Sequence, residues 1–353
     1  MISKIIQDDI KTISNNLKSY SDRLSGQTLL ITGGAGFIGK YILLTIDFMN
    51  KNMLDKPCKI ICVDNFITGT RNMDLDSDHL TLLQHDVRNP LKIDEKIDMI
   101  IHAAGIASPI YYNKFKLETL EVGTTGTKNM LELAKEKGVK SFLFFSSSEV
   151  YGDPDPKFVP TPETYNGNVS CTGPRACYDE SKRLGETLCT IYFQLHGLPI
   201  KIVRPFNVYG PGMRLDDYRV IPNFVFNAFK GNPLPVYGDG RNTRTFCYIT
   251  DAITGFLKAF LSDHNGETFN IGNQNGEINV EDLAILIANI FNNEIAIKKT
   301  SVPYEIYSST EPKRRCPDLT KTRKMLDYDT KVDLKDGVRR YIEWAREDIL
   351  LPS

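Results

Sequence analysis

Tyr178 and Lys182 are the residues of this chain whose types and spacing best suit acid/base chemistry. They stand four positions apart on a predicted helix, so their side chains share one face. A phenol has an ordinary pKa of about 10. A nearby ammonium, together with a cationic cofactor, would favour the phenolate, which is a base at neutral pH. Tyr112 and Lys116 show the same spacing, and we regard that second match as accidental.

The place of Tyr178 along the chain distinguishes it from the accidental match. Ser147 precedes it by 31 residues and ends a predicted strand, where sheets of this type present catalytic groups. In the run SSSEVYG, Ser147 can hydrogen-bond the oxygen that is oxidised, and Glu149 adds a carboxylate beside it. A solvated acid at the end of the strand is the alternative interpretation of Glu149. We therefore predict a catalytic group around Tyr178.

A glycine-rich turn predicts a dinucleotide site. Three glycines form GxxGxxG directly after a β-rich run, and a helical stretch follows. Glycines permit the tight turn and the approach of backbone N–H groups to a pyrophosphate at a helix N-terminus. Asp64 follows the next strand, where a carboxylate binds ribose hydroxyls and repels a 2′-phosphate, which favours NAD over NADP. Asp86 is predicted to meet the adenine, with a plain turn as the alternative. The predicted cofactor residues are Gly33, Gly36, Phe37, Ile38, Gly39, Asp64, Asn65, Asp86, Val87, Tyr178 and Lys182.

The elements that must position these residues alternate between strands and helices. Continuously apolar runs separated by helical segments indicate a parallel sheet that is covered on both faces. We predict an α/β fold, a Rossmann-type doubly wound parallel sheet with a smaller C-terminal α/β substrate-binding lobe. The predicted strands are TLLIT (28–32), KIICV (59–63), DMIIHAA (98–104), SFLFFSSS (141–148) and PIKIVRP (199–205).

The change of character beyond Pro205 predicts the domain limits. The chain there becomes rich in Gly, Pro and aromatic residues, as loops with binding residues are. We predict an NAD-binding domain at 26–205 and 236–265, and a substrate-binding lobe at 206–235 and 266–353, which the family resemblance described below implies to be a nucleotide-sugar-binding lobe. Residues 1–25 are predicted to form an amphipathic helix that packs on the protein or a partner subunit, rather than a loose extension.

Composition excludes several classes of protein. The net charge of −1, from 43 basic and 44 acidic residues, offers no field that would hold a nucleic acid. No stretch approaches the roughly 20 apolar residues of a membrane helix. The seven cysteines are scattered without metal-ligand spacing, as in reduced cytosolic proteins. We expect a cytoplasmic protein with no metal and no nucleic-acid or membrane partner.

Six further stretches carry a family resemblance that extends over nearly the whole chain from about residue 27. Together with the glycine-rich turn they resemble the extended short-chain dehydrogenase/reductase family, and within it the UDP-glucuronate decarboxylases. These stretches are VDNFITGTRN (63–72), IASPIYY (106–112), SSSEVYGDP (146–154), GPRACYDESKRLGET (173–187), RTFCYITD (244–251) and RRCPD (314–318).

The resemblance implies a reaction and a set of residues. Tyr178 would take the proton of the sugar 4-hydroxyl while NAD⁺ takes hydride, and the 4-ketone would then lose CO₂ from C5 to give UDP-xylose. Ser147 stands where the family has threonine, and Ser148 and Glu149 match its Ser-Glu pair at the carboxyl end of the sugar. The implied substrate contacts are Tyr112, Asn207, Arg219, Arg244, Tyr248, Arg315 and Asp318. As an alternative, the three arginines of this set could bridge the two lobes instead of binding the substrate.

Other chemistries on the same scaffold stay open. Gly212 stands where the decarboxylases usually have arginine, and Arg214 is similar to the GPGxR form of 4-epimerases. A 4,6-dehydratase would have Asp in place of Ser148. A catalytically idle NAD-binding regulator or scaffold is the alternative from another class. The family's four-helix interface implies a homodimer through helices near 116–137 and 178–196.

Overall fold

Seven parallel strands form the central sheet. The computed structural model describes residues 2–71, 75, 77–292, 294–301 and 312–350. Each sheet strand pairs in parallel with its neighbours, as the continuous apolar runs predict. Side by side, the strands are β11 (Thr268–Ile271), β6 (Ile200–Pro205), β5 (Ser141–Phe145), β4 (Met99–His102), β1 (Thr28–Thr32), β2 (Lys59–Asp64) and β3 (Leu80–Gln84).

Short strands make up the smaller lobe and the loops that join it to the sheet. They pair β10 with β7, β9 with both β12 and β14, and β13 with β8. These strands are β7 (Val208–Tyr209), β8 (Leu234–Tyr237), β9 (Thr243–Arg244), β10 (Cys247–Tyr248), β12 (Ile278–Asn279), β13 (Ile297–Thr300) and β14 (Arg314–Arg315).

Helices flank the sheet and complete the lobe. None of the helices in the described part of the chain is both long and apolar enough to span a membrane. The helices are α1 (Lys4–Asn16), α2 (Ser21–Leu24), α3 (Phe37–Asn52), α4 (Pro109–Lys114), α5 (Lys116–Glu121), α6 (Thr127–Lys137), α7 (Ala176–His196), α8 (Val220–Phe229), α9 (Ile249–Leu261), α10 (Val280–Ile290), α11 (Thr320–Leu326) and α12 (Leu334–Leu350), with 3₁₀ turns at Lys18–Tyr20, Ser148–Tyr151 and Pro156–Phe158 and a π turn at Val122–Gly126.

The five predicted strands are present, although the strand predicted at 141–148 ends at Phe145, and two domain limits are corrected. β11 lies in the range 266–353 assigned to the lobe, yet it pairs with β6 and closes the sheet. β8 pairs with β13, so residues 236 and 237 belong to the lobe rather than to the sheet domain. Neither strand is a continuous apolar run, because β8 (LPVY) contains a proline and β11 (TFNI) contains two polar residues.

The predicted helix near 116–137 is interrupted where it crosses α7. The π turn at Val122–Gly126 separates α5 from α6. A methyl group on Gly123 would lie 2.6 Å from the side chain of Ser181, so the two helices touch backbone against side chain at this point. The extra residue in the turn accommodates this close crossing.

The N-terminal helix α1 packs on the protein itself, as predicted. Ile13 and Leu17 are fully buried, and the helix lies against α3 and α9. Asp9 is fully buried with them, and its carboxylate accepts hydrogen bonds from the hydroxyls of Tyr41 and Tyr248. Burial raises the pKa of Asp9 from 3.8 to about 6.

This raised pKa predicts how stability depends on pH. Between pH 3.8 and about 6 the folded protein keeps a proton on Asp9 that the unfolded chain has lost. Stability due to this group is therefore fully present below pH 3.8 and decreases by about 3 kcal/mol as the pH rises through 6. Asp9→Asn is expected to remove that decrease, as measured by urea unfolding at several pH values. The exposed neighbour Asp8, changed to Asn, should leave it in place, and equal slopes in all three proteins would contradict the assignment.

Candidate active site

The glycine-rich turn joins β1 to α3 at the carboxyl edge of the sheet. Gly33 has φ +71°, and a methyl group there would lie 2.7 Å from the backbone nitrogen of Ala104. A methyl group on Gly39 would lie 2.6 Å from the Cα of Gly34. The fold itself therefore requires glycine at both positions, because backbone atoms occupy the space of any side chain.

Gly36 differs from these two glycines. It is the N-cap of α3 and lines a cleft above the turn. Among the described residues, only the carbonyl oxygen of Gly33 would lie within 4 Å of a methyl group on Gly36, at 3.3 Å. The Gly33 carbonyl would have to shift by a few tenths of an ångström to admit this methyl group, which is a far smaller obstruction than at Gly33 or Gly39. Since the free N–H groups of a helix N-terminus bind anions, the cleft fits the pyrophosphate of a dinucleotide.

Gly36→Ala should therefore weaken NAD binding while leaving the fold nearly intact. A methyl group in the path of the pyrophosphate is expected to raise the dissociation constant of NAD about tenfold. Isothermal titration of cofactor-free protein measures that constant, and thermal unfolding monitors the fold. Unchanged NAD affinity would show that the pyrophosphate does not approach Gly36.

Asp64 ends β2 beside the same turn. Its carboxylate accepts hydrogen bonds from the backbone nitrogens of Ala35 at 3.0 Å and Phe66 at 2.8 Å. It is 8% exposed and lines the cleft, and burial raises its pKa. It can thus face ribose hydroxyls while it holds two loops together. Phe37, Ile38, Gly39, Asn65 and Val87 also line the cleft, called here the cofactor cleft.

The predicted contact of Asp86 with the adenine stays a prediction. Its neighbours His85 and Val87 are among the described residues that line the cofactor cleft, but Asp86 is not. The carboxylate of Asp86 is paired with Arg88 at 2.9 Å and caps a turn by accepting from the Arg88 backbone nitrogen. The same carboxylate accepts from Asn65 Nδ2 at 3.3 Å, and Asn65 lines the cofactor cleft, so Asp86 lies directly behind that lining.

Ser147, Tyr178 and Lys182 meet at the carboxyl edge of β5. Tyr178 is 7% exposed near the start of α7, and its hydroxyl is hydrogen-bonded to the side chain of Ser147. Lys182 Nζ donates to the carbonyl oxygen of Phe145 at 2.8 Å and lies 5.8 Å from the centre of the Tyr178 ring. A methyl group on Gly105, which lines the cofactor cleft, would lie 3.1 Å from Lys182 Nζ, so this ammonium lies directly behind that lining, although Lys182 is not itself among the described lining residues.

Burial controls the proton affinities of this pair. It raises the pKa of Tyr178 to about 12, and the charge of Glu149 adds to the effect, while the bond to Ser147 opposes it. Burial lowers the pKa of Lys182 to about 8. The expectation that Lys182 lowers the phenol pKa is therefore not met in the protein alone, because Lys182 donates to a backbone carbonyl and desolvation dominates. Any lowering has to come from positive charge added at the cofactor cleft.

Glu149 lies in a buried ion cluster rather than in solvent. Its Oε2 accepts from Arg315 Nη2 at 2.7 Å and from the guanidinium of Arg175. Burial opposes the charge, yet the two arginines together hold the pKa of Glu149 below its ordinary value. Arg175 also lies 3.6 Å from Asp179. The alternative of a solvated strand-end acid is therefore wrong.

A second cleft, called here the sugar cleft, contains this cluster. It is lined by Glu149, Arg175, Tyr178 and Arg315, and it joins the cofactor cleft at Met213 and Arg219, which line both. Of the predicted substrate contacts, Tyr112, Asn207, Arg219, Arg244 and Arg315 are among its lining residues.

Several of these side chains are held in defined positions. Tyr112 stacks on Tyr178, with 5.6 Å between ring centres. Asn207 adopts φ +40°, a conformation in which non-glycine residues are uncommon and which often marks functional positions. Its amide donates to the carbonyl oxygen of Thr245 at 2.7 Å, which fixes the side chain at the edge of the cleft.

Two predicted contacts and one missed residue need correction. Tyr248 is 1% exposed and its hydroxyl donates to Asp9 at 2.9 Å, so it is a core residue. Asp318 accepts from the Thr320 backbone nitrogen at 2.8 Å and caps the turn before α11. Neither is among the described residues that line the sugar cleft.

Arg175 is a site residue that the sequence analysis does not predict, although it stands in GPRACYDESKR three residues before Tyr178. Ser148 is buried in the 3₁₀ turn next to Glu149.

Comparisons with known proteins agree with this geometry. The model of the NAD dependent epimerase/dehydratase family matches residues 29–272. UDP-glucuronic acid decarboxylase 5 of Arabidopsis thaliana is 40% identical over 317 residues, which are 89% of this chain and 88% of that protein. UDP-glucuronic acid decarboxylase 1 of Xenopus tropicalis is 38% identical over 324 residues, 91% of this chain and 72% of that protein. A structure of UDP-glucuronic acid 4-epimerase from Bacillus cereus, in complex with UDP-glucuronic acid and NAD, is similar with a TM-score of 0.74 and 26% identity, covering 91% of this chain and 99% of that one.

Proposed function

This chain belongs to the NAD dependent epimerase/dehydratase family, and we propose that its reaction is the decarboxylation of UDP-glucuronate to UDP-xylose through a 4-keto intermediate. The observation that carries the proposal is the buried cluster of Glu149, Arg175 and Arg315 beside Tyr178. The relatives that are 36–40% identical and named UDP-glucuronic acid decarboxylase support it.

Tyr178 and Ser147 act at C4 of the sugar in this proposal. NAD, when bound, supplies the oxidant by accepting hydride from C4 and returning it after CO₂ has left. Tyr178 takes the proton of the 4-hydroxyl, and Ser147, already hydrogen-bonded to the phenol, orients the same oxygen. The pKa of Tyr178 is about 12, so the phenol holds the proton firmly once it has taken it and can return it to the oxygen at C4 when the ketone is reduced.

The ion cluster acts at C5. Arg175 and Arg315 are balanced by Glu149 and by Asp179, which lies 3.6 Å from Arg175, so the cluster is close to neutral and offers guanidinium donors to the substrate carboxylate. With a ketone at C4 the substrate is a β-keto acid. The bond between C5 and the carboxyl carbon breaks, CO₂ leaves, and the electron pair becomes an enolate at C4. Protonation at C5 then restores the ketone before its reduction.

Incubation with UDP-glucuronate tests the proposal directly. We expect stoichiometric CO₂ and UDP-xylose, detected by trapping of the gas and by NMR of the product. Conversion to UDP-galacturonate without CO₂ would instead support a 4-epimerase, and a 4-keto-6-deoxy product from dTDP-glucose would support a dehydratase. No turnover with UDP-, dTDP-, GDP- and CDP-sugars would support the idle scaffold.

We further propose a homodimer in the cytoplasm. Apolar side chains are exposed on the outer faces of two helices that pack together, with Leu117 of α5 and Leu195 of α7 both 72% exposed. Such a patch on helices is typical of a subunit interface. The seven cysteines all lie in the described part of the chain and are free thiols, which supports a reducing compartment.

Leu117→Glu combined with Leu195→Glu should convert the dimer to monomers. Charges placed in an apolar interface lose their hydration without gaining partners. Sedimentation velocity measures the change, and Leu82→Glu on the sheet edge is the control, since Leu82 is also exposed but lies on β3. A wild-type chain that sediments as a monomer would contradict the proposed dimer.

A further inference from the structure

Three parts of the molecule meet at Asp9 of α1. Its Oδ2 accepts hydrogen bonds from the hydroxyls of Tyr41 at 3.2 Å and Tyr248 at 2.9 Å, and its Oδ1 faces Arg340 Nη1 at 3.3 Å. Tyr41 belongs to α3, Tyr248 ends β10, and Arg340 lies in α12 of the lobe. A single buried carboxylate therefore connects the helix that starts at the glycine-rich turn with the smaller lobe.

Tyr41 extends this connection to the cofactor cleft. Its ring packs edge-on against Phe37, the first residue of α3 and a lining residue of the cleft, with 6.0 Å between ring centres. The loop that contains Gly212 and Met213 lies on the same two rings, since a methyl group on Gly212 would be 3.7 Å from Tyr41 and 3.8 Å from Phe37. Both loop residues line the cofactor cleft.

Two further contacts hold the other side of this arrangement. Tyr341 of α12 donates to the carbonyl oxygen of Met213 at 3.0 Å. Tyr248 packs edge-on against Tyr209, with 5.7 Å between ring centres, and Tyr209 lines the sugar cleft. The residues that surround Asp9 are thus one contact away from both clefts.

The choice of an aspartate here is unfavourable for stability alone. Ile13 and Leu17 already attach α1 to the protein, and an apolar residue would do so without burying a carboxylate. Burial raises the pKa of Asp9 to about 6, which means that its charged form is less stable in the folded protein than in water. A locally unfavourable residue at such a position points to a role other than packing.

We propose that Asp9 is a positioning residue for NAD binding. Its carboxylate fixes the Tyr41 hydroxyl, and Tyr41 in turn fixes Phe37 and the Gly212–Met213 loop against the cofactor. Residues 1–25 thereby act as a brace for the cofactor cleft, although none of the described residues among them lines it. The inference concerns NAD only and holds for any sugar reaction, so it stands apart from the proposed decarboxylation.

Asp9→Asn and Tyr41→Phe in the full chain test the inference. Tyr41→Phe removes one hydrogen bond to a charged acceptor, and Asp9→Asn removes the charge of that acceptor; either loss corresponds to roughly a tenfold change in an equilibrium constant. We expect the NAD dissociation constant of cofactor-free protein to rise about tenfold in Asp9→Asn and in the same direction in Tyr41→Phe. The thermal unfolding midpoint of Asp9→Asn at neutral pH should stay equal to or above that of the wild type. Asp8→Asn, on the exposed face of the same helix, should change neither quantity.

The combination of the two readouts decides the outcome. A purely structural role would lower the unfolding midpoint while NAD affinity at low temperature stays constant, and that result would overturn the inference. Unchanged NAD affinity in both Asp9→Asn and Tyr41→Phe would overturn it as well. Because NAD is titrated without sugar, absence of CO₂ release would contradict the proposed function and leave this test unaffected.

Discussion

Tyr178→Phe is expected to lower the turnover of UDP-glucuronate by about 10³-fold while NAD and sugar still bind. A positioned acid/base group contributes typically 10² to 10⁴ in rate, and phenylalanine keeps the ring but cannot transfer the proton of the 4-hydroxyl. The stacking of this ring on Tyr112 needs no hydroxyl, so the cleft should keep its shape. Single-turnover CO₂ release measures the chemical step, and equilibrium titration measures binding.

Tyr192→Phe is the matched control for this prediction. Tyr192 lies on the same helix, and its hydroxyl binds Glu132 rather than facing either cleft. We expect turnover within about twofold of the wild type, since no proton of the reaction passes through it. Tyr178→Phe with wild-type turnover would show that another group is the base. An equal loss in both variants would indicate that α7 had been disturbed.

Glu149→Gln is expected to lower kcat about 100-fold and to leave KM for UDP-glucuronate unchanged or lower. With the Glu149 carboxylate gone, the cluster of Arg175, Arg315 and Asp179 presents one more positive charge to the substrate carboxylate than it does in the wild type. The added charge stabilises the bound carboxylate more than the transition state, in which this group loses its charge as it becomes CO₂. The barrier for C–C cleavage therefore rises. The same charges also favour the enolate, but in the proposed mechanism its oxygen is bound by Tyr178 and the carboxylate by the arginines themselves, so we expect the effect on the enolate to be smaller.

Steady-state kinetics and absorbance together check this prediction. Oxidation at C4 uses Tyr178, so the variant should accumulate reduced nicotinamide, which is visible in the near ultraviolet. Glu180→Gln is the control. Glu180 lies on α7 two residues after Tyr178, but its Oε2 pairs with Arg183 Nε at 3.6 Å. A large rise in KM at constant kcat would mean that Glu149 binds the substrate rather than balancing the arginines.

Local sequence patterns were sufficient for the parts of the site that depend on neighbouring residues. The glycine turn needs only the strand before it and the helix after it, and Asp64 is found by its distance from that turn. Tyr178 was identified by its position after the strand that ends near Ser147. In each case the residue is close in sequence to the strand or turn beside which it lies, so its spacing along the sequence predicts its position in the site.

Contacts between distant segments could not be predicted in this way. Arg175 belongs to the site because it forms an ion pair with Glu149, which lies 26 residues earlier in the sequence. Glu149 also pairs with Arg315, far along the chain. Tyr248 matched a family stretch, but the stretch does not say that α1 supplies Asp9 as a partner for its hydroxyl. Which side of a short strand faces a cleft is decided by tertiary packing, and residues 1–25 are part of that packing.

The close crossing of α7 with its neighbours has a consequence for mutational tolerance. One face of α7 carries Tyr178 and Lys182. A methyl group on Gly185, further along, would overlap the ring of Phe144, and the outward face presents Leu184 and Leu195 to the proposed partner subunit. The helix thus has little surface that is free of a chemical, packing or association role. Random variation should be accepted less readily over its length than over the other helices, and efforts to stabilise or diversify the enzyme have more room in the smaller lobe.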